Sequence, residues 1–142
     1  FNDDLWTAPV ITKTEMELKV QTSAPLTVRD QLPVVRKYQN SKGNWIFDFG
    51  QNFSGIVRLK VRGYGGHKVT MKPGELLEKD STVNQRASGG PYFWSYTLSG
   101  KGVEEWHPQF TYYGFRYVEV SGAEKLELIE LAGMHTTIQL RK

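Results

Sequence analysis

The sequence predicts an all-β chain folded as an antiparallel β-sandwich, and three observations carry that prediction. Apolar residues recur with a period of two: Val57, Leu59 and Val61 alternate with Arg58, Lys60 and Arg62, the pattern of a strand with one buried and one wet face. Turn chemistry interrupts the chain at short intervals, at residues 41–44, 63–66, 79–81, 88–91, 99–102 and 121–122, where Gly, Ser, Asn, Asp and Pro cluster. No window carries a capped i, i+3, i+4, i+7 apolar stripe, which leaves room for at most one or two short helical turns, one of them expected near residues 82–87.

Taken in order, residues 15–20 alternate and read as a strand, while residues 21–33, with Pro25 and Pro33, read as an extended connector. Residues 45–49 are apolar on both faces and predict a strand covered on both sides; residues 115–120 do the same. Residues 57–61 give the cleanest alternation. Residues 69–77, 92–98 and 135–140 are further strands, and residues 126–131 fit either state. Alternation fixes faces and leaves strand partners open.

Bulk properties exclude several classes. The 142 residues suit one ordinary domain. No apolar run approaches the roughly 20 residues of a membrane helix, so no membrane partner is expected. The net charge of +3 is spread over 18 basic and 15 acidic residues with no dense basic block, and no nucleic-acid partner is expected. The absence of cysteine removes disulfides, thiolate zinc sites and cysteine nucleophiles. His67, His107 and His135 lack the i, i+2 or i, i+4 spacing that lets two imidazoles share a zinc, and no loop gathers enough oxygen ligands for calcium, so neither a metal nor a cofactor is implied. A chain that begins at Phe1, without an initiator Met or a signal segment, reads as a fragment or processed product.

The aromatic surplus, 13% of the chain, is the chemical clue. From Trp106 to Val120 the chain carries six aromatics and Arg116. Residues 113–120 match an RNA-binding RRM strand at Gly114, Phe115, Tyr117 and Val118 but lack its basic, small and last aromatic positions, and the two amphipathic helices of that fold have no counterpart. In residues 92–96, Tyr92, Trp94 and Tyr96 share one face of a strand, suited either to stacking on a sugar ring or to filling a core or seam. Asp48, among Trp45, Phe47 and Phe49, needs a partner if buried; Gln51 and Asn52 could supply one within a tight turn, a structural role favoured over ligand contact. The remaining carboxylates, Glu75, Glu78, Glu104, Glu105 and Glu119, form no pair that sequence can set across a glycosidic bond.

Two segments together carry a family resemblance: Asp48-Phe49-Gly50-Gln51-Asn52-Phe53-Ser54-Gly55 with the strand that follows it, and residues 106–120. With the Glu75-Leu76-Leu77 and Tyr96-Thr97-Leu98-Ser99-Gly100 elements between them, they resemble the concanavalin-like β-sandwich domain of bacterial α-L-rhamnosidases, glycoside hydrolase family 78, over about residues 25–122. Gln109 stands where an arginine is usual, and Gly89-Gly90-Pro91 replaces a commoner acidic stretch.

The resemblance implies a non-catalytic accessory module whose parent enzyme keeps its acidic catalytic residues in an (α/α) barrel elsewhere in the same polypeptide. Residues 1–24 are then expected to be a linker or an edge strand from a preceding domain, and residues 25–142 the sandwich. The barrel is the expected partner and a rhamnose-containing glycan the second. An autonomous carbohydrate-binding module is the alternative, and a periplasmic or extracellular location fits the parent. The expected contact residues, to sugar or to a neighbouring domain, are Asp48, Gln51, Asn52, Tyr92, Trp94, Tyr96, Tyr112, Tyr113 and Arg116, with no catalytic residue among them.

Overall fold

The computed structural model describes residues 4–13, 15–124 and 126–138. Within them run ten strands: β1 (Leu26–Leu32), β2 (Arg36–Gln39), β3 (Trp45–Arg62), β4 (Lys68–Gly74), β5 (Leu76–Leu77), β6 (Val83–Asn84), β7 (Trp94–Thr97), β8 (Val103–Trp106), β9 (Tyr113–Ser121) and β10 (Glu127–Ile138). All pairings are antiparallel, in the order β1-β10-β3-β9-β4-β7, with β2 and β8 also on β3 and with β5-β6 as a separate small sheet.

β3 organises the fold because, at 18 residues, it is long enough to serve both halves of the sheet. Its first half lies between β2 and β9; its second half pairs with β10, the start of β9, and β8. The sheet curls so that both halves close over one core. Val57, Leu59 and Val61 from one half and Met71, Phe115 and Val118 from the other are fully buried in a single cluster. The charged partners of that alternation stay outside, where Arg58 pairs with Glu130 at 2.7 Å and Arg62 with Glu127 at 3.0 Å.

The outer face of the β3–β9 pair carries a second anchor. Glu119 is buried, its Oε1 accepting from the side-chain amides of Asn40 (3.0 Å) and Asn44 (2.7 Å) and its Oε2 from the Val83 backbone N–H (2.9 Å). Lys72, its register partner on β4, donates to the Val83 carbonyl at 2.9 Å. Side chains from β4 and β9 thus hold both backbone polar groups of Val83, fastening β6 to a sheet with which it shares no ladder.

Four expectations are corrected. Residues 26–32, read as connector, form β1; exposed along nearly its whole length, this edge strand shows no buried face to reveal it. Residues 69–77 are two strands, broken at Glu75 where β5 leaves the sheet to pair with β6. Residues 15–20 form no strand and are exposed. The helical turn near residues 82–87 is a 3-10 turn displaced to Arg86–Ser88, because Val83–Asn84 is taken up by β6. The ambiguous residues 126–131 enter β10, and of the strand expected over 135–140 the last two residues lie outside the described ones.

Candidate functional site

The predicted contact residues fall into three groups, two of which meet at the start of β9. The first is a bulge. β3 pairs with β9 through Asp48↔Tyr117 and resumes at Phe53↔Phe115, so residues 49–52 stand opposite Arg116 alone. Gly50 makes the detour at φ +79°, a conformation that a β-carbon disfavours. Phe49 and Phe53 turn into the core, while Gln51 and Asn52 are exposed. Asp48 locks the bulge: its Oδ1 accepts from Arg116 Nε (2.8 Å) and from the Gly50 N–H (2.8 Å), and its Oδ2 from Arg116 Nη2 (3.1 Å). The Arg116 fork, against the opposing effect of burial, holds the Asp48 carboxyl below its ordinary range, with help from the Gly50 amide. The structural role expected for Asp48 holds, but its partner comes from β9 and not from Gln51 or Asn52. Those two side chains lie on the solvent side of the loop.

The second group is an aromatic ladder running from the surface into the core. Tyr92 stacks on Tyr113 at 4.2 Å between ring centroids, Tyr113 meets Trp94 at 5.3 Å, Trp94 meets Phe115 edge-on at 5.6 Å, and Phe115 meets Phe53 at 4.4 Å. Trp94 is 4% exposed and has no face left for a sugar, so its assignment as a contact residue is corrected. Alternation put Tyr92, Trp94 and Tyr96 on one face, and that face is the inner one; Phe93 and Ser95 point outward.

Tyr96 forms the third group. It stacks on Trp106 at 5.4 Å and donates its hydroxyl to Glu104 at 2.7 Å. Glu104 also accepts the Ser99 and Gly100 amides, each at 2.9 Å, which closes the β7–β8 turn. These bonds, the Ser99 amide first, push the Glu104 carboxyl down to about 2. Tyr96 therefore fixes a turn, with one ring face taken by Trp106.

What remains open lies beside the ladder. Tyr92, Tyr112, Tyr113, Gly114, Glu75 and Ser88 line a shallow cleft of about 330 Å³, with Tyr112 half exposed. Two residues before Tyr112, Phe110 is fully exposed and sits at φ +59°, a backbone region that bulky residues seldom occupy. Phe110, beside this cleft, and Glu75 and Ser88, which line it, are not among the contact residues expected from the sequence. The signal for Phe110 was an aromatic in a loop, outside the alternation that would have assigned it a face. A wider groove of about 590 Å³ under Pro33, Val34, Phe47 and Leu131 contains none of the predicted residues; Lys37 covers part of it, with Nζ 4.3 Å from the Trp45 ring.

The sequence profile described as "Bacterial alpha-L-rhamnosidase concanavalin-like domain" matches residues 38–137. The chain belongs to this family. An alpha-L-rhamnosidase of Streptomyces avermitilis is 35% identical over 127 residues, covering 86% of this chain and 12% of the relative. The solved structure of a rhamnosidase from that organism, complexed with L-rhamnose, superposes with a TM-score of 0.74 at 33% identity over 84% of this chain and 12% of its own. The alpha-L-rhamnosidase of Dictyoglumus thermophilum superposes with a TM-score of 0.78 at 28% identity over 97% of this chain and 16% of its own. This rhamnosidase-type sandwich thus spans about an eighth of the length of the curated relatives it matches.

Proposed function

We propose that this chain is the non-catalytic β-sandwich module of a larger bacterial α-L-rhamnosidase, packing against the catalytic barrel of the same polypeptide. The observation that carries the reading is one of proportion: 86% of this chain aligns with 12% of a rhamnosidase. The chemistry of the carboxylates agrees. A glycosidase general acid needs a raised pKa, whereas Asp48 and Glu104 are held low by hydrogen bonds within their own chain, and Glu119 is occupied by three internal donors. Phe110 and Tyr112 give the docking face, since an aromatic held in solvent at positive φ fits an anchor for a neighbouring surface. The Tyr112 cleft beside it is where a rhamnose-containing glycan could be touched from this domain. An autonomous carbohydrate-binding module would need the Tyr92, Trp94 and Tyr96 rings as a platform, and these are spent on the ladder and the Glu104 turn.

The test compares the 142-residue chain with the intact enzyme on an aryl α-L-rhamnoside. Turnover is expected from the intact enzyme alone. Turnover by the isolated chain that disappears in a Glu75→Gln variant would overturn the assignment. Calorimetry of the chain with millimolar L-rhamnose should show no heat, and a saturable signal there would restore the autonomous reading.

A further inference from the structure

The carboxylates of the sandwich are engaged almost without exception. From residue 26 to residue 122, Asp48, Glu104 and Glu119 accept internal hydrogen bonds, while Asp30, Glu78, Asp80 and Glu105 stand in ion pairs with Arg29, Arg86, Lys42 and Arg58. Glu75 is the exception: among the described residues it makes neither. Its Oε1 lies 3.5 Å from where a β-carbon on Gly114 would stand, which holds the carboxylate over the start of β9, in the cleft it lines with Tyr92, Tyr112 and Tyr113. The chain carries 18 basic residues and a net charge of +3, yet none of them lines this cleft.

We infer that the cleft is a socket for a basic side chain, arginine or lysine, of the adjoining domain in the same polypeptide. The inference rests on the reading of Phe110 and Tyr112 as a docking face, and it supplies the chemistry of the surface that meets that face. Two residues separate Phe110 from Tyr112, so a neighbour that covers Phe110 comes within about 8 Å of the cleft. Such a neighbour takes the Glu75 carboxylate out of water, which is costly unless a cation arrives with it. The rings select the same guest, because phenol π faces attract guanidinium and ammonium groups and the carboxylate beside them balances the charge. Tyr92 and Tyr113, stacked at 4.2 Å, give that guest a fixed wall. A neutral sugar would leave the Glu75 charge uncompensated, and calcium would need several more oxygen ligands than one carboxylate supplies. A basic side chain seated against Glu75 leaves the half-exposed Tyr112 at the mouth, as the part of the cleft within reach of a glycan.

Hydrogen exchange at residues 109–112, read by mass spectrometry, reports the opening of this face. Those amides should be protected in the intact enzyme relative to the 142-residue chain. In the intact enzyme, Glu75→Gln should lower that protection by about 10-fold or more, and Glu75→Lys should abolish it. Both variants should leave the unfolding midpoint of the 142-residue chain unchanged, since Glu75 holds nothing within it. Raising salt from about 0.05 to about 0.5 M should weaken protection in the parent enzyme more than in Glu75→Gln. Protection that stays the same or grows in Glu75→Gln overturns the inference, because it means that the carboxylate is covered without a cation, while the docking face itself stands. Amides as open in the intact enzyme as in the chain overturn the docking face and the inference together. Saturable protection of the chain by L-rhamnose would assign the cleft to a sugar and overturn the inference as well.

Discussion

Asp48 and Glu119 are buried carboxylates on the same outer face of the β3–β9 pair, and they are compensated in opposite ways. Asp48 meets a cation whose side chain is about a third exposed; Glu119 meets two asparagine amides and a backbone N–H. The contrast separates what holds a bulge from what holds a layer. If Asp48 is lost, the Arg116 head can swing into water. If Glu119 is lost, buried Asn40 and the Val83 amide keep donors with no acceptor, and leaving such groups unsatisfied is the more expensive failure.

Glu119→Ala should therefore destabilise most, by about 3–5 kcal/mol in urea unfolding, since each stranded donor costs about 1–3 kcal/mol. Glu119→Gln should recover part of this, because its carbonyl can still accept from an asparagine while its amide group faces the Val83 N–H. Asp48→Ala should cost less, about 2–3 kcal/mol, for the lost ion pair and the freed bulge. A larger loss for Asp48 than for Glu119 would break the comparison.

Acid sharpens it. The folded-state pKa of Asp48 is depressed by Arg116, so the stability it contributes is fully present above the unfolded carboxylate value of about 3.9 and drains away as pH falls through its lower folded value. Glu104 behaves alike between its ordinary value of 4.5 and about 2. Unfolding midpoints measured from pH 6 downward should fall less steeply in Asp48→Asn and Glu104→Gln than in the parent sequence. An unchanged slope in both variants would show that neither carboxylate carries this acid sensitivity. The smallest expected effect is at Phe110: Phe110→Gly should raise the stability of the chain by about 0.5 kcal/mol, as relief of the positive φ outweighs the added freedom of the unfolded chain. The same change should weaken association with the rest of the enzyme, measured as loss of the shared unfolding transition.

Alternation made the two ends of β3, and β4, β7 and β9, legible, because each has a face that must be apolar, but it read residues 45–49 and 57–61 as separate strands where the structure runs one strand through a bulge. It could not show β1, whose side chains are nearly all exposed, or the departure of β5 toward β6. Asp48 was legible as a carboxylate in need of a partner. Arg116 was not legible as that partner, since 68 positions separate them and periodicity reports faces rather than neighbours. The rings of Tyr92, Trp94 and Tyr96 were correctly grouped, but whether their shared face looked inward depended on Phe115 and Phe53, far away in sequence. Phe110 escaped for a related reason: nothing local distinguishes an aromatic that is displayed from one that is packed.

The length of β3 has a consequence for the chain as it is being made. The strand is complete by Arg62, yet β9 begins only at Tyr113 and β10 ends at Ile138. At synthesis rates of about 5–20 residues per second, its apolar face waits for roughly 3–15 s before β9 and β10 are made. Through that interval Arg58, Lys60 and Arg62, and the kink at Gly50, are what stand between a long sticky ribbon and pairing with another nascent chain. The same charges that later line the outer face of the finished sheet thus serve first as gatekeepers on the ribosome.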